Sequence, residues 1–89
     1  MQDNYQKELA FAISKVLKRL RKQTGKSLTL FCYEYSIPTS SLNDIETCKS
    51  QNPKIHTIYL VLKALGISGP KFFEMVEKEL PQYFMEEND

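Results

Sequence analysis

Residues 37–46 of this 89-residue chain, IPTSSLNDIE, gather small hydroxyl and amide side chains together with two acidic ones. Such side chains can hydrogen-bond the edges of nucleic-acid bases. Asn bonds adenine through two atoms, Ser and Thr serve as donor or acceptor, and a carboxylate accepts from the amino group of cytosine. The stretch contains no Arg, Lys or Gln. It therefore lacks the side chains that make the strongest contact with guanine.

Catalytic and metal-binding chemistry has little support in the sequence. It shows no nucleophile with a plausible base, no carboxylate pair in an apolar setting and no glycine-rich phosphate loop. Cys32, Cys48 and His56 fall short of the roughly four ligands that a zinc site needs, and the two cysteines fit free thiols in a reducing compartment. We predict no enzyme activity, no catalytic or metal site and no cofactor.

Positive charge is concentrated in the first part of the chain. Residues 1–69 carry ten Lys and Arg against five Asp and Glu, whereas residues 70–89 carry two against six. The segment 14–26, SKVLKRLRKQTGK, holds six of the basic residues. A basic segment followed by an acidic end favours a polyanionic partner.

The size and hydropathy of the chain favour one small globular domain. No apolar run approaches the ~18 residues of a membrane span. The first ten residues, MQDNYQKELA, lack the basic start and apolar centre of a signal peptide. We therefore expect a cytoplasmic protein with no membrane association.

Apolar residues at three- and four-residue spacing predict helices and no convincing strand. Five helices are predicted, at about residues 5–23, 28–35, 39–46, 53–65 and 70–79. Ser27 is expected to cap the second helix, and Asn52 with Pro53 to begin the fourth. Leu9 and Ile55 are expected on inner faces, and Leu42 with Ile45 should hold the third helix to the core.

Four pieces of the sequence, in this order and spacing, carry a resemblance to a known family. They are LRKQTGKS, SIPTSSLNDIE, NP and LVLKALGI. Over residues 9–75 the chain resembles the phage lambda repressor/Cro family, also called the XRE family. The resemblance implies an all-α, five-helix, lambda repressor-like helix-turn-helix domain in residues 1–80, with the motif at about 28–47. Residues 81–89 would form an acidic C-terminal tail.

The resemblance also implies which residues would meet DNA. Base contacts would come from the outward side of the third helix, from Thr39, Ser40, Asn43 and Asp44. Phosphate contacts would come from Lys26, Ser27, Thr29, Ser41, Lys49 and Lys54. Arg21 and Glu46 would form a structural ion pair that ties the first helix to the end of the third.

The chain departs from the family pattern at several positions. Leu28 stands where the family often has a phosphate-binding Gln. Ser36 and Cys48 each stand where Gly is usual, and a left-handed turn at Ser36 would be strained. Pro38 replaces a frequent capping residue, for which Ser36 or Thr39 are expected to substitute.

Two functions stay open on the sequence alone. The first is a sequence-specific, DNA-binding transcriptional regulator of XRE type that binds double-stranded operator DNA as a homodimer. The dimer would form through helix 5 and the tail, using Phe73, Tyr83, Phe84 and Met85 with Phe11 and Leu60; alternatively, the tail simply folds over Phe11. The second is a helix-turn-helix domain that has lost DNA binding and serves as a protein-interaction module, which Leu28 and the Arg-free third helix favour.

Overall fold

The computed structural model describes residues 2–81 and 84, with side chains from residue 5 onward. Within these residues the chain forms five helices and no strand, which confirms the predicted all-α, five-helix class. The helices are α1 (Gln2–Gln23), α2 (Leu28–Tyr35), α3 (Thr39–Glu46), α4 (Ile55–Leu65) and α5 (Gly69–Lys78).

The long helix α1 is the element around which the others pack. It contacts α3, α4 and α5, while α2 packs on α3 and α4. The centre of the core is filled by large apolar side chains that are fully buried, because burial of such surface is the main force that holds a small bundle together. They are Leu17, Phe31, Leu42, Ile58, Leu62 and Phe72.

Local signals at the helix ends agree with the predicted boundaries in three places. The Ser27 hydroxyl accepts a hydrogen bond from the Leu30 amide at 3.1 Å and so caps α2. Ser68 caps α5 in the same way. At the end of α4, Gly66 takes a left-handed conformation with φ 70°, and the Ile67 amide folds back to the Leu62 carbonyl.

The predicted start of α4 at Asn52 and Pro53 is wrong. The helix begins at Ile55, and its N-cap is Lys54 in an extended conformation without a side-chain cap. Asn52 does not cap the helix. Its backbone amide donates a hydrogen bond to the Ser50 hydroxyl at 3.1 Å. Such a local bond between side chain and backbone competes with helix formation.

The buried faces of α1 and α4 also differ from the predicted ones. Ile55 is 58% exposed and Leu9 is 38% exposed, although both were expected to be buried. The core positions of α4 are Thr57 and Val61 together with Ile58 and Leu62. As the first residue of α4, Ile55 lies at the edge of the bundle, so periodicity alone overestimates its burial.

Candidate nucleic-acid interface

Helix α3 has one face in the core and one face towards solvent. Leu42, Ile45 and Glu46 are buried at helical spacing on the inner side. Thr39, Ser40 and Asn43 are exposed, whereas Asp44 and Ser41 are half-buried. The four predicted base-contact residues therefore share the side of α3 that the buried residues leave free.

A buried ion pair fixes the end of α3 to α1, as expected. Arg21 Nε donates to Glu46 Oε2 at 2.7 Å and Arg21 Nη2 donates to Glu46 Oε1 at 2.8 Å, a two-bond geometry that Arg and carboxylates favour. The hydrogen bond to the Glu46 carboxylate raises the pKa of Arg21 above its ordinary value. Arg21 Nη1 also donates to the Lys26 carbonyl at 2.9 Å, which ties the segment before α2 to the same anchor.

A second contact between α1 and α3 completes this anchor. The buried Ser14 hydroxyl donates to the Glu46 carbonyl at 2.9 Å. Ser14 and Arg21 are seven residues apart on α1, which is two helical turns along one face. Both the side chain and the backbone of Glu46 are therefore held by α1, and α3 cannot rotate about its axis without breaking them.

The turn between α2 and α3 depends on a strained residue. Ser36 adopts a left-handed conformation, with φ 57° and ψ 44°, and its amide donates to the Cys32 carbonyl. This is the conformation for which glycine would be the ordinary choice. Burial raises the pKa of the Cys32 thiol above its ordinary value, against a hydrogen bond from Thr39 that lowers it.

The expectation that Ser36 or Thr39 caps α3 is wrong. The N-cap position belongs to Pro38, and no side chain accepts a hydrogen bond from the first amides of the helix. The reason is that Ser36 forms the left-handed turn, while Thr39 is already the first residue of the helix.

The predicted phosphate contacts before and within α2 differ in their surroundings. Ser27 and Thr29 are exposed at the start of the helix. The Lys26 ammonium is instead bonded to the Glu34 carboxylate and lies 5.1 Å from the centre of the Tyr35 ring. The bond to Glu34 raises the pKa of Lys26. Lys26 must leave this carboxylate before it can meet a phosphate.

The loop between α3 and α4 presents two of the predicted lysines. Cys48 takes a left-handed conformation with φ 56°, at the position where the family resemblance implied Gly, and its thiol lies 3.6 Å from the Ala10 carbonyl. The Lys49 amide donates to the Asp44 carbonyl. Lys49 and Lys54 are exposed, and neither forms an ion pair with a side chain of residues 5–81 or 84.

Lys18 of α1 was not among the predicted phosphate contacts, but helical spacing puts it on the same side of α1 as the two residues that hold α3. Lys18 is four residues after Ser14 and three before Arg21, so it shares their side of the helix. It is exposed, as is Lys22 one turn later. Lys15 and Arg19 differ, because both are paired with Glu79 at 3.1 Å. Helical spacing from the two anchoring residues would have singled out Lys18.

Of the residues predicted for a dimer surface, Phe11, Phe73 and Leu60 line different depressions of the structure. Phe11 is 62% exposed, and the tail that was expected to fold over it lies, apart from Pro81 and Phe84, outside the described residues. Phe73, Leu60 and Phe84 are half-buried, and Phe84 packs edge-on against the Tyr5 ring at 5.0 Å between centroids. Tyr83 and Met85 lie outside the described residues.

Comparisons with known proteins find no matching family model, no matching curated protein and no matching solved structure. Among the helices of the described chain, none is both long and apolar enough to cross a membrane. Function is therefore inferred from the geometry of α3 and the residues around it.

Proposed function

We propose that this chain is a sequence-specific DNA-binding transcriptional regulator of the helix-turn-helix type, related to the XRE family, which inserts α3 into the major groove. The observation that supports this most is the rigid anchoring of a short helix whose outward side carries only small polar groups. A helix held in this way can present side chains to base edges at fixed positions. Such a regulator would act in the cytoplasm.

The outward residues of α3 suggest a preference for A·T-rich or shape-defined sites. Asn43 is the residue suited to a two-bond contact with adenine, while Thr39 and Ser40 suit either hydrogen bonding or contact with a thymine methyl. Asp44 can accept from cytosine but repels phosphate. Because no Arg or Lys is present on α3, affinity from the helix itself is modest.

Phosphate contacts around the groove would supply most of the affinity. Ser27 and Thr29 lie at the start of α2, where backbone amides favour an anion. Lys49 and Lys54 on the far side of α3 have exposed ammonium groups. Ser41 would add a hydroxyl near the backbone, and Lys26 would contribute after release from Glu34. Contacts of this kind position a protein without reading sequence.

A homodimer is the form in which a regulator of this type would bind. Two copies related by a two-fold axis would present two α3 helices to half-sites about 34 Å apart, one turn of DNA. Dimerisation also raises affinity, because the second α3 binds as part of the same particle.

Salt-dependent binding to DNA is the test. Selection from a random duplex library followed by titration at several salt concentrations should give sites whose affinity falls steeply with salt. Lys49→Ala should weaken binding to all sequences and reduce the salt slope by about 1, whereas Lys63→Ala, at an exposed lysine of α4, should leave it unchanged. The absence of any binding at low salt would refute the proposal.

Sequence preference is tested separately. Asn43→Ala should flatten preference at one or two positions, with a cost of about 1–3 kcal/mol at the preferred base. Gln23→Ala, at an exposed amide at the end of α1, is the matched control. Equal preference in both variants would remove Asn43 from base recognition.

The second candidate function is a protein-interaction module. The outer face of α2 favours it, because Tyr33 is 84% exposed and Leu30 is 44% exposed one turn away. Exposed aromatic side chains are frequent at protein interfaces. A partner bound at this face would show little salt dependence, and Tyr33→Ala would weaken it while leaving DNA binding intact.

A further inference from the structure

Lys26, in the turn before α2, is held at both its backbone and its side chain. Its carbonyl accepts a hydrogen bond from Arg21 Nη1 at 2.9 Å, and its amide donates to the Thr24 hydroxyl at 3.2 Å. Its ammonium is bonded to the Glu34 carboxylate and lies 5.1 Å from the centre of the Tyr35 ring. Lys26 is therefore restrained, whereas a lysine without partners samples many rotamers.

The side chain of Lys26 is drawn along α2, away from the helix start. Glu34 and Tyr35 are seven and eight residues beyond the N-cap Ser27, which is roughly 10–12 Å along the helix axis. The helix amides that favour an anion, and the exposed hydroxyls of Ser27 and Thr29, lie at the opposite end of α2. The bond to Glu34 thus directs the ammonium away from the end where a phosphate would bind.

The Glu34 carboxylate offers this ammonium the same chemistry as a phosphate. Both groups present anionic oxygens that accept charge-assisted hydrogen bonds. Lys26 cannot contact both at once without bringing two anions together, and like charges repel at such distances. Glu34 belongs to the same chain, so its effective concentration at Lys26 is high and a phosphate must displace it.

We propose that Glu34 limits the affinity of the protein for DNA by withholding Lys26 from the phosphate backbone. The inference rests on the proposed function, because it requires a phosphate near the start of α2. Phosphate contacts carry no sequence information, so Glu34 lowers the affinity for all duplexes alike. Thr39, Ser40 and Asn43 on α3 are not involved, and sequence preference is unchanged by the restraint.

Lys49 provides the comparison within the same molecule. It is exposed and forms no ion pair with a side chain of residues 5–81 or 84. Its ammonium can meet a phosphate without breaking a bond, whereas that of Lys26 must first leave Glu34. Two lysines of equal charge therefore differ in what they add to binding, and Lys49→Ala should weaken DNA binding more than Lys26→Ala.

NMR of the lysine side chains in the whole chain tests the restraint without DNA. The ring current of Tyr35 should shift the ε-methylene protons of Lys26 upfield of those of the exposed Lys54. Glu34→Gln should move them back towards the Lys54 position, whereas Glu77→Gln, at an exposed residue of α5, should not. Lys26 protons at the Lys54 position in the wild type would overturn the inference, whatever the protein does with DNA.

Binding to a short duplex of mixed sequence at low salt tests the consequence. The Lys26 and Glu34 side chains are 30% and 39% exposed, so the effect is that of a partly exposed ion pair. Glu34→Gln should bind about three- to fivefold more tightly, and its salt slope should increase by about 1. Lys26→Ala should weaken the wild type less than about twofold, but Glu34→Gln about three- to fivefold. Equal losses in the two backgrounds would overturn the inference.

Two controls separate the restraint from other effects of the substitution. Glu77→Gln removes the same charge on α5 and should leave DNA affinity nearly unchanged, so a gain as large as that of Glu34→Gln would assign the effect to net charge and overturn the inference. A thermal melt should show that Glu34→Gln keeps the fold. Absence of DNA binding in both the wild type and Glu34→Gln would refute the proposed function, and this inference with it. DNA binding that Glu34→Gln leaves unchanged would refute the inference alone.

Discussion

Helix α1 makes ion pairs on two of its sides, and the two sets differ in burial. Towards α3, the side chains of Arg21 and Glu46 are only 8% and 5% exposed. Towards the end of α5, Lys15 and Arg19 are 55% and 43% exposed where they meet Glu79. Buried partners cannot exchange their bond for water, whereas exposed partners can. The single buried pair therefore holds α3 more firmly than the two exposed pairs hold the end of α5. Helix α3 is the one proposed to read DNA.

The largest expected effect comes from removing one member of the buried pair. Arg21→Ala should lower the free energy of unfolding by about 3–5 kcal/mol, because the Glu46 carboxylate would be left buried and unpaired. Urea unfolding followed by circular dichroism measures this. Arg19→Ala is the control and should cost little. Equal losses in both variants would contradict the distinction between the two sides.

Replacing both partners together separates the value of the pair from the cost of breaking it. Arg21→Met with Glu46→Leu should recover much of the stability lost in either single variant, since a buried ion pair is often matched by apolar residues of similar volume. A double variant as unstable as Arg21→Ala would show that the hydrogen bond to the Lys26 carbonyl matters more than the pair.

The next largest effect is expected from removing the Ser14 hydroxyl, which lies on the same side of α1 as Arg21. Ser14→Ala should lower the free energy of unfolding by about 1–2 kcal/mol, because it leaves the buried Glu46 carbonyl without this donor. Ser40→Ala, at an exposed serine of α3, should change it by less than about 0.5 kcal/mol. Thermal unfolding of the three proteins gives the comparison, and an unchanged Ser14→Ala would remove this bond from the anchor.

Replacing either of the two strained residues beside α3 by glycine should raise the free energy of unfolding. Ser36→Gly should stabilise the fold by about 0.5–1 kcal/mol, because glycine adopts the left-handed conformation without steric cost. Cys48→Gly should gain less, since it also loses the thiol contact with Ala10. The reverse change, Gly66→Ser, should destabilise α4. A loss of stability in Ser36→Gly would mean that the hydroxyl has an unseen stabilising partner.

The smallest effect is expected on the exposed side of α1. Hydrogen bonds from Arg19 and Lys15 lower the pKa of Glu79 below its ordinary value of 4.5. Since the folded pKa is depressed, the stabilisation is present above pH 4.5 and is lost as the pH falls through the lowered value. The free energy of unfolding of the wild type should slightly exceed that of Glu79→Gln at neutral pH and low salt. The two values should be equal in acid or at high salt. Glu77→Gln, at an exposed residue of α5, should show no such dependence.

Local signals in the sequence predicted the helices, whereas the family resemblance predicted the anchor of α3. Ser27 as a cap and Gly66 as a terminator act through atoms a few residues away, so the sequence around them is sufficient. The pairing of Arg21 with Glu46 came from the family resemblance rather than from periodicity. It could be carried over because both residue types were present at matching positions.

Features that helical periodicity does not encode were missed. The delayed start of α4 arises from a serine–amide bond in the preceding loop, which competes with a strong Asn-Pro signal. Leu9 and Ile55 are exposed because no described element from residue 5 to 81 packs over them. The bond between Lys26 and Glu34 spans a helix start, where helical spacing no longer indicates neighbours. Sequence periodicity contains none of these relations.

The brevity of α2 and α3 limits what can be transplanted from this protein. Each helix has eight residues, below the roughly 12–15 at which a helix persists alone in water. The shape of α3 depends on α1, which supplies the buried donors to its end, and α2 packs in turn on α3 and α4. A peptide cut from residues 27–47 would have no fixed conformation. Redesigned specificity must therefore be built by exchanging the outward side chains of α3 within the complete bundle, with its scaffold helix left intact.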